Sequence, residues 1–352
     1  MEGFLVIPFN TFLTRLIMRF SSSELMRFAY GRYALGAFNV SNLEQFHGLF
    51  RGAARARAPI IVQFTGAMQD YAHSTMLEQI LRGAELIYPE VPFAVHLDHG
   101  DEAACADAID SGHFGSVMID SSHLPFEENV LATARVVERA HASGLRVEAE
   151  LGQLKGVEDE RSVSGTDAAL TDPVKAGEFV NRTRCDSLAV AIGTSHGAYK
   201  FTGKQRLDLD RLKSVQRRLP GFPLVLHGAS AVPLEEIQRI NEAGGRIDSG
   251  AGGVDPSELQ EAIRLGVTKV NIGTDGRLIW TRVHREFFRD HPDEFNFMLP
   301  GRIYMGEYAL FVERKCEQLG TTGMAQEASN FPSVPPPKRA NPQPAPDSRP
   351  PL

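Results

Sequence analysis

"SLAVAIGTSHGAYK", residues 187–200, decides how the rest of the chain is read. Leu188, Ala189, Val190, Ala191 and Ile192 make an apolar run of the kind a buried strand needs. Within a few residues the chain then reaches Gly193, Thr194, Ser195, His196 and Gly197, which have little to bury. A histidine set among small residues at the end of a buried strand is accessible to a metal, a phosphate, a proton or water.

Seven other stretches have the same apolar character: "ALGAFNV" (34–40), "PIIVQFT" (59–65), "FAVHLD" (93–98), "SVMID" (116–120), "RVEAELG" (146–152), "PLVLHGA" (223–229) and "VTKVNIG" (267–273). Helical stretches separate them. In "EENVLATARVVERAHAS", Val130, Ala134, Val137 and Ala140 recur at helical spacing, and "PSELQEAIRLG" is opened by Asp255 before Pro256 and closed by Gly266. Eight alternating β and α units predict an α/β protein, a (β/α)8 barrel of the TIM type with extra C-terminal helices. An open doubly wound sheet is the alternative.

The chain has 352 residues, of which 42% are hydrophobic and 23% charged, enough to bury a large core. A net charge of -7 and a pI near 5.9 give no electrostatic ground for a nucleic acid or an anionic membrane as partner. Cys105, Cys185 and Cys316 are far apart and odd in number, which points to a reducing compartment and a cytoplasmic protein. Residues 1–22 read as an N-terminal extension, or as the result of a start placed ahead of Met18. Pro8, Asn10 and Arg15 interrupt the apolar run, leaving it too short to span a bilayer, and no small-residue cleavage site follows it. Residues 23–324 are the predicted barrel, and the proline-dense residues 325–352 a disordered tail.

In a barrel of this kind, catalytic side chains stand at the carboxyl ends of the strands. There the sequence puts Asp98 and His99 (third run), Asp120 (fourth), Glu148 and Glu150 on one face of the fifth, His196, His227 and Asn271. Each has a bland reading. A single histidine at a strand end is commonly a hydrogen-bonded structural residue, Glu148 and Glu150 could pair with Lys269 inside the barrel, and the glycines could only shape turns. The combination is less easily dismissed, because three histidines, each followed by glycine, come from three different strand ends. Three imidazoles with no thiolate suit a catalytic Zn2+ with an open position for substrate, acting as a Lewis acid on a substrate oxygen. "HGAS" (227–230) and "NIGTDG" (271–276) follow the last two strands, the usual phosphate position in such barrels, and Gly197 offers a similar backbone amide.

With "GAFNV", "VHLDHG", "SVMIDSSH", "VEAELG", "AIGTSHGAYK", "LVLHGAS" and "KVNIGTD" in this order, residues 23–324 resemble the class II, metal-dependent fructose-bisphosphate aldolases. The resemblance implies zinc-dependent, reversible cleavage of fructose 1,6-bisphosphate to dihydroxyacetone phosphate and glyceraldehyde 3-phosphate, a step shared by glycolysis and gluconeogenesis. It implies His99, His196 and His227 as zinc ligands and Asp98 as the acid/base at the hydroxyl proton. Asp120 and Glu150 match a second cation site, divalent or monovalent. Glu158, in the loop "GQLKGVEDE", matches a mobile-loop glutamate that moves the proton at the dihydroxyacetone phosphate carbon. Asn271 matches an enediolate contact, and Asn39 and Thr65 match substrate contacts. Gly228, Ala229, Ser230, Ile272, Gly273 and Thr274 fall in the phosphate and substrate loops. A homo-oligomer, dimer or tetramer, is implied, with Arg302 the nearest match to an arginine given to a neighbouring subunit's substrate.

The chain departs from the family's pattern in having Thr65 for a serine and Gly273 for a substrate-facing aspartate, which bears on the sugar epimer accepted. Three other readings stay open: an aldolase for tagatose 1,6-bisphosphate or another ketose phosphate, a Schiff-base aldolase using Lys269, and a barrel without catalysis.

Overall fold

The computed structural model describes residues 19–153, 155–158, 161–163, 170–196, 206–230, 232–248 and 254–330. Its strands are β1 (Leu35–Asn39), β2 (Ile60–Phe64), β3 (Phe93–Gly100), β4 (Ser116–Ile119), β5 (Arg146–Leu151), β6 (Lys155–Glu158), β7 (Arg161–Val163), β8 (Ser187–Val190), β9 (Ser195–His196), β10 (Leu224–Leu226) and β11 (Val267–Ile272). Eight of them close into a parallel barrel in the order β1-β11-β10-β8-β5-β4-β3-β2. The pairing of β1 with both β2 and β11 leaves no sheet edge and rules out the open alternative.

Each of the eight apolar runs supplies one barrel strand, and their two faces separate cleanly with period two. Phe38, Val62, Val95, Val117, Val147, Leu188, Leu226 and Val270 face outward into the core shared with the helices. Leu35, Ala37, Ile61, Ala94, Met118, Ala189 and Val225 form a second buried cluster inside the barrel. Two residues further along the inward parity, the side chains turn polar: Asn39 after Ala37, Gln63 after Ile61, His96 and Asp98 after Ala94, His227 after Val225. The interior is therefore an apolar base beneath a polar upper layer that opens at the carboxyl ends of the strands.

Helix Ser22–Ala29 closes the base. Its Leu25, Met26 and Ala29 join the interior cluster together with Phe20 and Tyr33. Arg19 bridges to Phe93, and its guanidinium reaches Glu85 at 2.8 Å. At the other end, helix Ala325–Ala328 packs Ala328 into the same cluster, and the amide of Ala325 donates to the Arg57 carbonyl at 2.9 Å. Packing thus extends outside the 23–324 limits suggested by the sequence, to Arg19 and to helix Ala325–Ala328. The apolar residues that do this are too few to register as a periodic pattern. The remainder of the expected tail, 331–352, and residues 1–18 lie outside the described residues.

Helix Met298–Leu319 is the expected extra C-terminal helix and lies along helix Leu43–Ala56. The contact is close because Gly52 has no side chain: a Cβ there would stand 2.5 Å from the Ala309 carbonyl oxygen and 2.7 Å from Val312 Cβ. Gly52→Ala is expected to cost about 1–3 kcal/mol through overpacking, despite alanine's better helix propensity. Chemical denaturation checks this; an unchanged or raised midpoint would mean that the two helices separate at no cost.

Candidate active site

Alternation along a strand should send Asp98 and His99 to opposite faces of β3. The register prevents this. Leu97 pairs with Val117 and Gly100 with Ile119, so β3 carries an extra residue, and His99 takes a left-handed φ of 50° at that bulge. A left-handed non-glycine residue stores local strain that the surrounding structure must hold. Here it turns two consecutive side chains toward the same opening. Gly100 makes the bend fit, since a Cβ there would meet Leu97 Cδ2 at 2.8 Å and Cys105 Sγ at 3.1 Å.

Asp98 is fully buried and sits in a cage of amides. Its Oδ2 accepts from Asn39 Nδ2 at 2.9 Å and from Gln63 Nε2 at 3.1 Å, and its Oδ1 accepts from Asn271 Nδ2 at 3.0 Å. Gln63 also donates to Asn39 Oδ1 at 2.9 Å, which fixes the orientation of that amide. Asn271 keeps its Oδ1 buried and without a hydrogen-bond partner among the described residues, an acceptor available to a ligand hydroxyl. Gln63 was not singled out from sequence, although an amide on the inward parity of an otherwise apolar strand was its visible signal.

His99 and His227 face each other, His99 Nε2 lying 2.9 Å from His227 Nδ1. The far nitrogen of each ring is held by a carboxylate: His99 Nδ1 by Asp120 Oδ2 at 3.1 Å, and His227 Nε2 by Glu148 Oε1 at 2.9 Å. A neutral imidazole has a single N–H, and a carboxylate beside one nitrogen draws it there. Both inward nitrogens then present lone pairs to each other, an arrangement that needs a proton or a cation between them. Asp98, His99 and His227 place ligand atoms within 4.8 Å of one another, as do His99, Asp120 and Glu150. These imidazole and carboxylate donors, with carboxylates backing the rings, fit a divalent cation.

His196 belongs to β9, so the structure sets its backbone beyond the carboxyl end of β8; its side chain lies outside the described residues. The chain turns between the two strands at Gly193, whose φ is 105° and where a Cβ would stand 2.6 Å from the Arg206 carbonyl oxygen. The barrel strand consequently stops at Val190, earlier than the apolar run suggests. Glu158, expected on a loop, ends β6 instead. β6 pairs antiparallel with β7 and parallel with β9, with Gly156 opposite His196. The segment "KGVE" can pair this way because backbone hydrogen bonding, not side-chain burial, is what the small sheet requires; the Glu158 side chain is outside the described residues. So is Gly197.

Gly228, with φ 62°, leads Ala229 and Ser230 away from β10, and Ile272 ends β11. Gly273 and Thr274 open helix Thr274–Asp290, whose first amides lack intrahelical partners and suit an anion. Asp275 ties the two loops together by accepting from the Val232 amide at 2.9 Å. Thr65 is buried at the end of β2, where its Oγ1 accepts from the Met68 amide at 3.3 Å. Arg302 is exposed on helix Met298–Leu319 and is not among the side chains that meet at this opening.

Below the histidines, Lys269 Nζ lies 2.9 Å from Glu148 Oε2, with both side chains 1% exposed, so the ion pair considered from sequence exists for Glu148. Glu150 belongs instead with His99 and Asp120. His96 Nδ1 meets Ser116 Oγ at 2.7 Å beside this pair. Burial, reinforced by the Lys269 ammonium, pushes the His96 imidazole from its ordinary 6.5 down to about 3. It stays neutral in the folded protein while the unfolded chain protonates below 6.5. The stability contributed by its neutral form is therefore complete above pH 6.5 and is lost as pH falls toward 3, at up to about 1.4 kcal/mol per pH unit. Denaturation at pH 7 and pH 5 should show a steeper loss for the parent than for His96→Asn; equal slopes would place the acid sensitivity elsewhere.

The family model for class II fructose-bisphosphate aldolases matches residues 21–324. A fructose-bisphosphate aldolase of Giardia intestinalis is 42% identical over 300 residues, which are 84% of this chain and 90% of that protein. One from Thermus caldophilus is 42% identical over 307 residues, 86% of this chain and 98% of that protein. Among solved structures, the YdjI aldolase from Escherichia coli K12 superposes with a TM-score of 0.68 at 27% identity, covering 87% of this chain and 99% of that one.

Proposed function

The chain belongs to the class II fructose-bisphosphate aldolase family, and from that premise we propose that it cleaves fructose 1,6-bisphosphate reversibly to dihydroxyacetone phosphate and glyceraldehyde 3-phosphate. It is an aldolase, a carbon–carbon lyase of a metal-dependent family, acting on a sugar phosphate. The observation that carries the reading is the facing pair His99 and His227, each backed by a carboxylate and both adjoining the caged Asp98.

His99, His227 and His196 would hold the cation, with Zn2+ the metal best suited to three imidazoles. Bound there, it supplies Lewis-acid stabilisation of negative charge developing on substrate oxygen. Asp98 takes the proton of the C4 hydroxyl as the C3–C4 bond breaks, and the amides of Asn39, Gln63 and Asn271 keep its carboxylate oriented for that transfer. The bonding electrons stay at C3, and Glu158 delivers the proton that completes dihydroxyacetone phosphate. Asn271 Oδ1 accepts from a substrate hydroxyl. Asn39 and Thr65 line the same opening, and the amides at Gly197, Gly228–Ser230 and Ile272–Thr274 receive the phosphates. Asp120 and Glu150 form the second cation position with His99.

The proposal includes a dimer or tetramer in which Arg302 reaches the substrate of a neighbouring copy. The exposure of Arg302, and of Phe295, Phe297 and Met298 shortly before it, supports this. A cytoplasmic setting goes with this reading; among the described residues no helix is long and apolar enough to cross a membrane.

A second substrate is favoured by one feature. Gly273 leaves open the place beside Asn39 that a side chain would crowd, a Cβ there standing 3.1 Å from Asn39 Oδ1. Tagatose 1,6-bisphosphate, the C4 epimer, is the alternative this raises. Comparing kcat/KM on the two sugars in a coupled assay tests the reading. Preference for the fructose sugar is expected, and a faster reaction with the epimer would reassign the substrate. Schiff-base chemistry at Lys269 is disfavoured because its buried ammonium is already paired with Glu148. Borohydride added with substrate should therefore trap no covalent adduct.

A further inference from the structure

The buried group that the proposed reaction leaves unused is the Glu148–Lys269 pair. Lys269 Nζ lies 3.2 Å from Glu148 Oε1 and 2.9 Å from Oε2, and His227 Nε2 lies 2.9 Å from the same Oε1. His96 Nε2 adds a longer contact to Glu148 Oε2 at 3.5 Å. A buried ion pair is a poor source of stability, since apolar residues of similar volume commonly fill such a space at no loss. Its presence inside a barrel whose base is already apolar calls for another role.

We propose that Glu148 and Lys269 are positioning residues for His227: Lys269 holds the Glu148 carboxylate in place, and Glu148 fixes the His227 ring with its proton on Nε2 and its Nδ1 lone pair directed at the cation site. This rests on the metal-dependent reading given above. Geometry supplies the first argument, because one carboxylate oxygen is shared between the ammonium and the imidazole, so neither can shift without the other. Chemistry supplies the second, because the oxygen that accepts from the Lys269 ammonium at 3.2 Å also faces Nε2 and accepts its N–H, which leaves Nδ1 as the ring's ligand atom. The sequence spacing serves the same end, since Lys269 and Asn271 share the inward parity of β11, and one strand thus serves both His227 and Asp98.

The test uses the full chain and Co2+ as probe, reading its dissociation constant by chelator competition and its visible absorption, with the melting temperature of the metal-free protein measured alongside. The double variant Glu148→Leu/Lys269→Met keeps the volume apolar and removes the acceptor. It is expected to fold but to bind Co2+ about 10–100-fold more weakly, with an altered spectrum. Should it fail to fold, Glu148→Gln reads the same quantity, with a smaller rise in the dissociation constant expected. A folded variant with the parent's Co2+ affinity and spectrum would overturn the inference and make the pair merely structural. A parent protein that takes up no Co2+ would instead overturn the metal reading, and the inference with it.

Discussion

Exhaustive chelation is expected to lower the rate of fructose 1,6-bisphosphate cleavage roughly a thousand-fold or more, and stoichiometric Zn2+ to restore it. The size follows from which groups the described residues bring to the opening. Breaking the C3–C4 bond leaves charge that must be stabilised, and the buried lysine near the site is already neutralised by Glu148. Among the described residues, the side chains meeting at the opening are otherwise carboxylates, imidazoles and amides, which cannot supply several kcal/mol of positive potential without a cation. Metal-free protein should remain folded, because the barrel closes through backbone pairing and an apolar base that includes neither His99 nor His227. Circular dichroism recorded with the activity separates the two effects. Full activity after chelation would remove the metal from the mechanism altogether.

Replacing Asp98 should cost nearly as much while leaving the metal in place. Asp98→Asn keeps the shape of the side chain but cannot take the C4 hydroxyl proton, so kcat should fall about 10²–10⁴-fold. The substitution also turns an amide N–H either toward the donor of Asn271 or toward those of Asn39 and Gln63, setting donor against donor in a buried site and lowering stability by about 1–3 kcal/mol. Single-turnover rates and Co2+ titration of the same preparation distinguish these consequences. Slow chemistry with retained metal binding is expected, whereas an unchanged kcat would assign the proton to another group. Asn271→Ala should produce a milder defect, because Asn39 and Gln63 still hold the other carboxylate oxygen.

The eight strands were legible because a barrel strand buried on both faces must be apolar for its whole length, and its polar exit is then conspicuous. Asp98, His99, His227 and Asn271 announced themselves in this way and do meet in space. Residues whose role depends on register were harder to read. Nothing in "HLDHG" states that His99 is left-handed, and the alternation rule alone would turn it away from Asp98. Glu148 and Glu150 share a face and a spacing yet join different clusters, one beside Lys269 and the other beside Asp120, because the neighbouring strands offer different partners at the two levels. The β6–β7 hairpin escaped notice because its strands are short and charged, and backbone pairing leaves no hydrophobic signature. Arg19 and Phe20 fell outside the predicted domain for the opposite reason: they look like part of a longer apolar extension until the barrel floor, which Phe20 covers together with helix Ser22–Ala29, is visible.

The bulge in β3 also sets how the site responds to thermal breathing. Two functional groups carried by separate strands drift relative to each other whenever the barrel flexes, and their alignment must be recovered at every turnover. Asp98 and His99 are joined by a single peptide unit, so a backbone displacement of one carries the other with it. The separation of the Cα atoms that carry the proposed proton acceptor and the proposed cation ligand is thereby written into covalent geometry, where the softness of the surrounding sheet has little leverage over it.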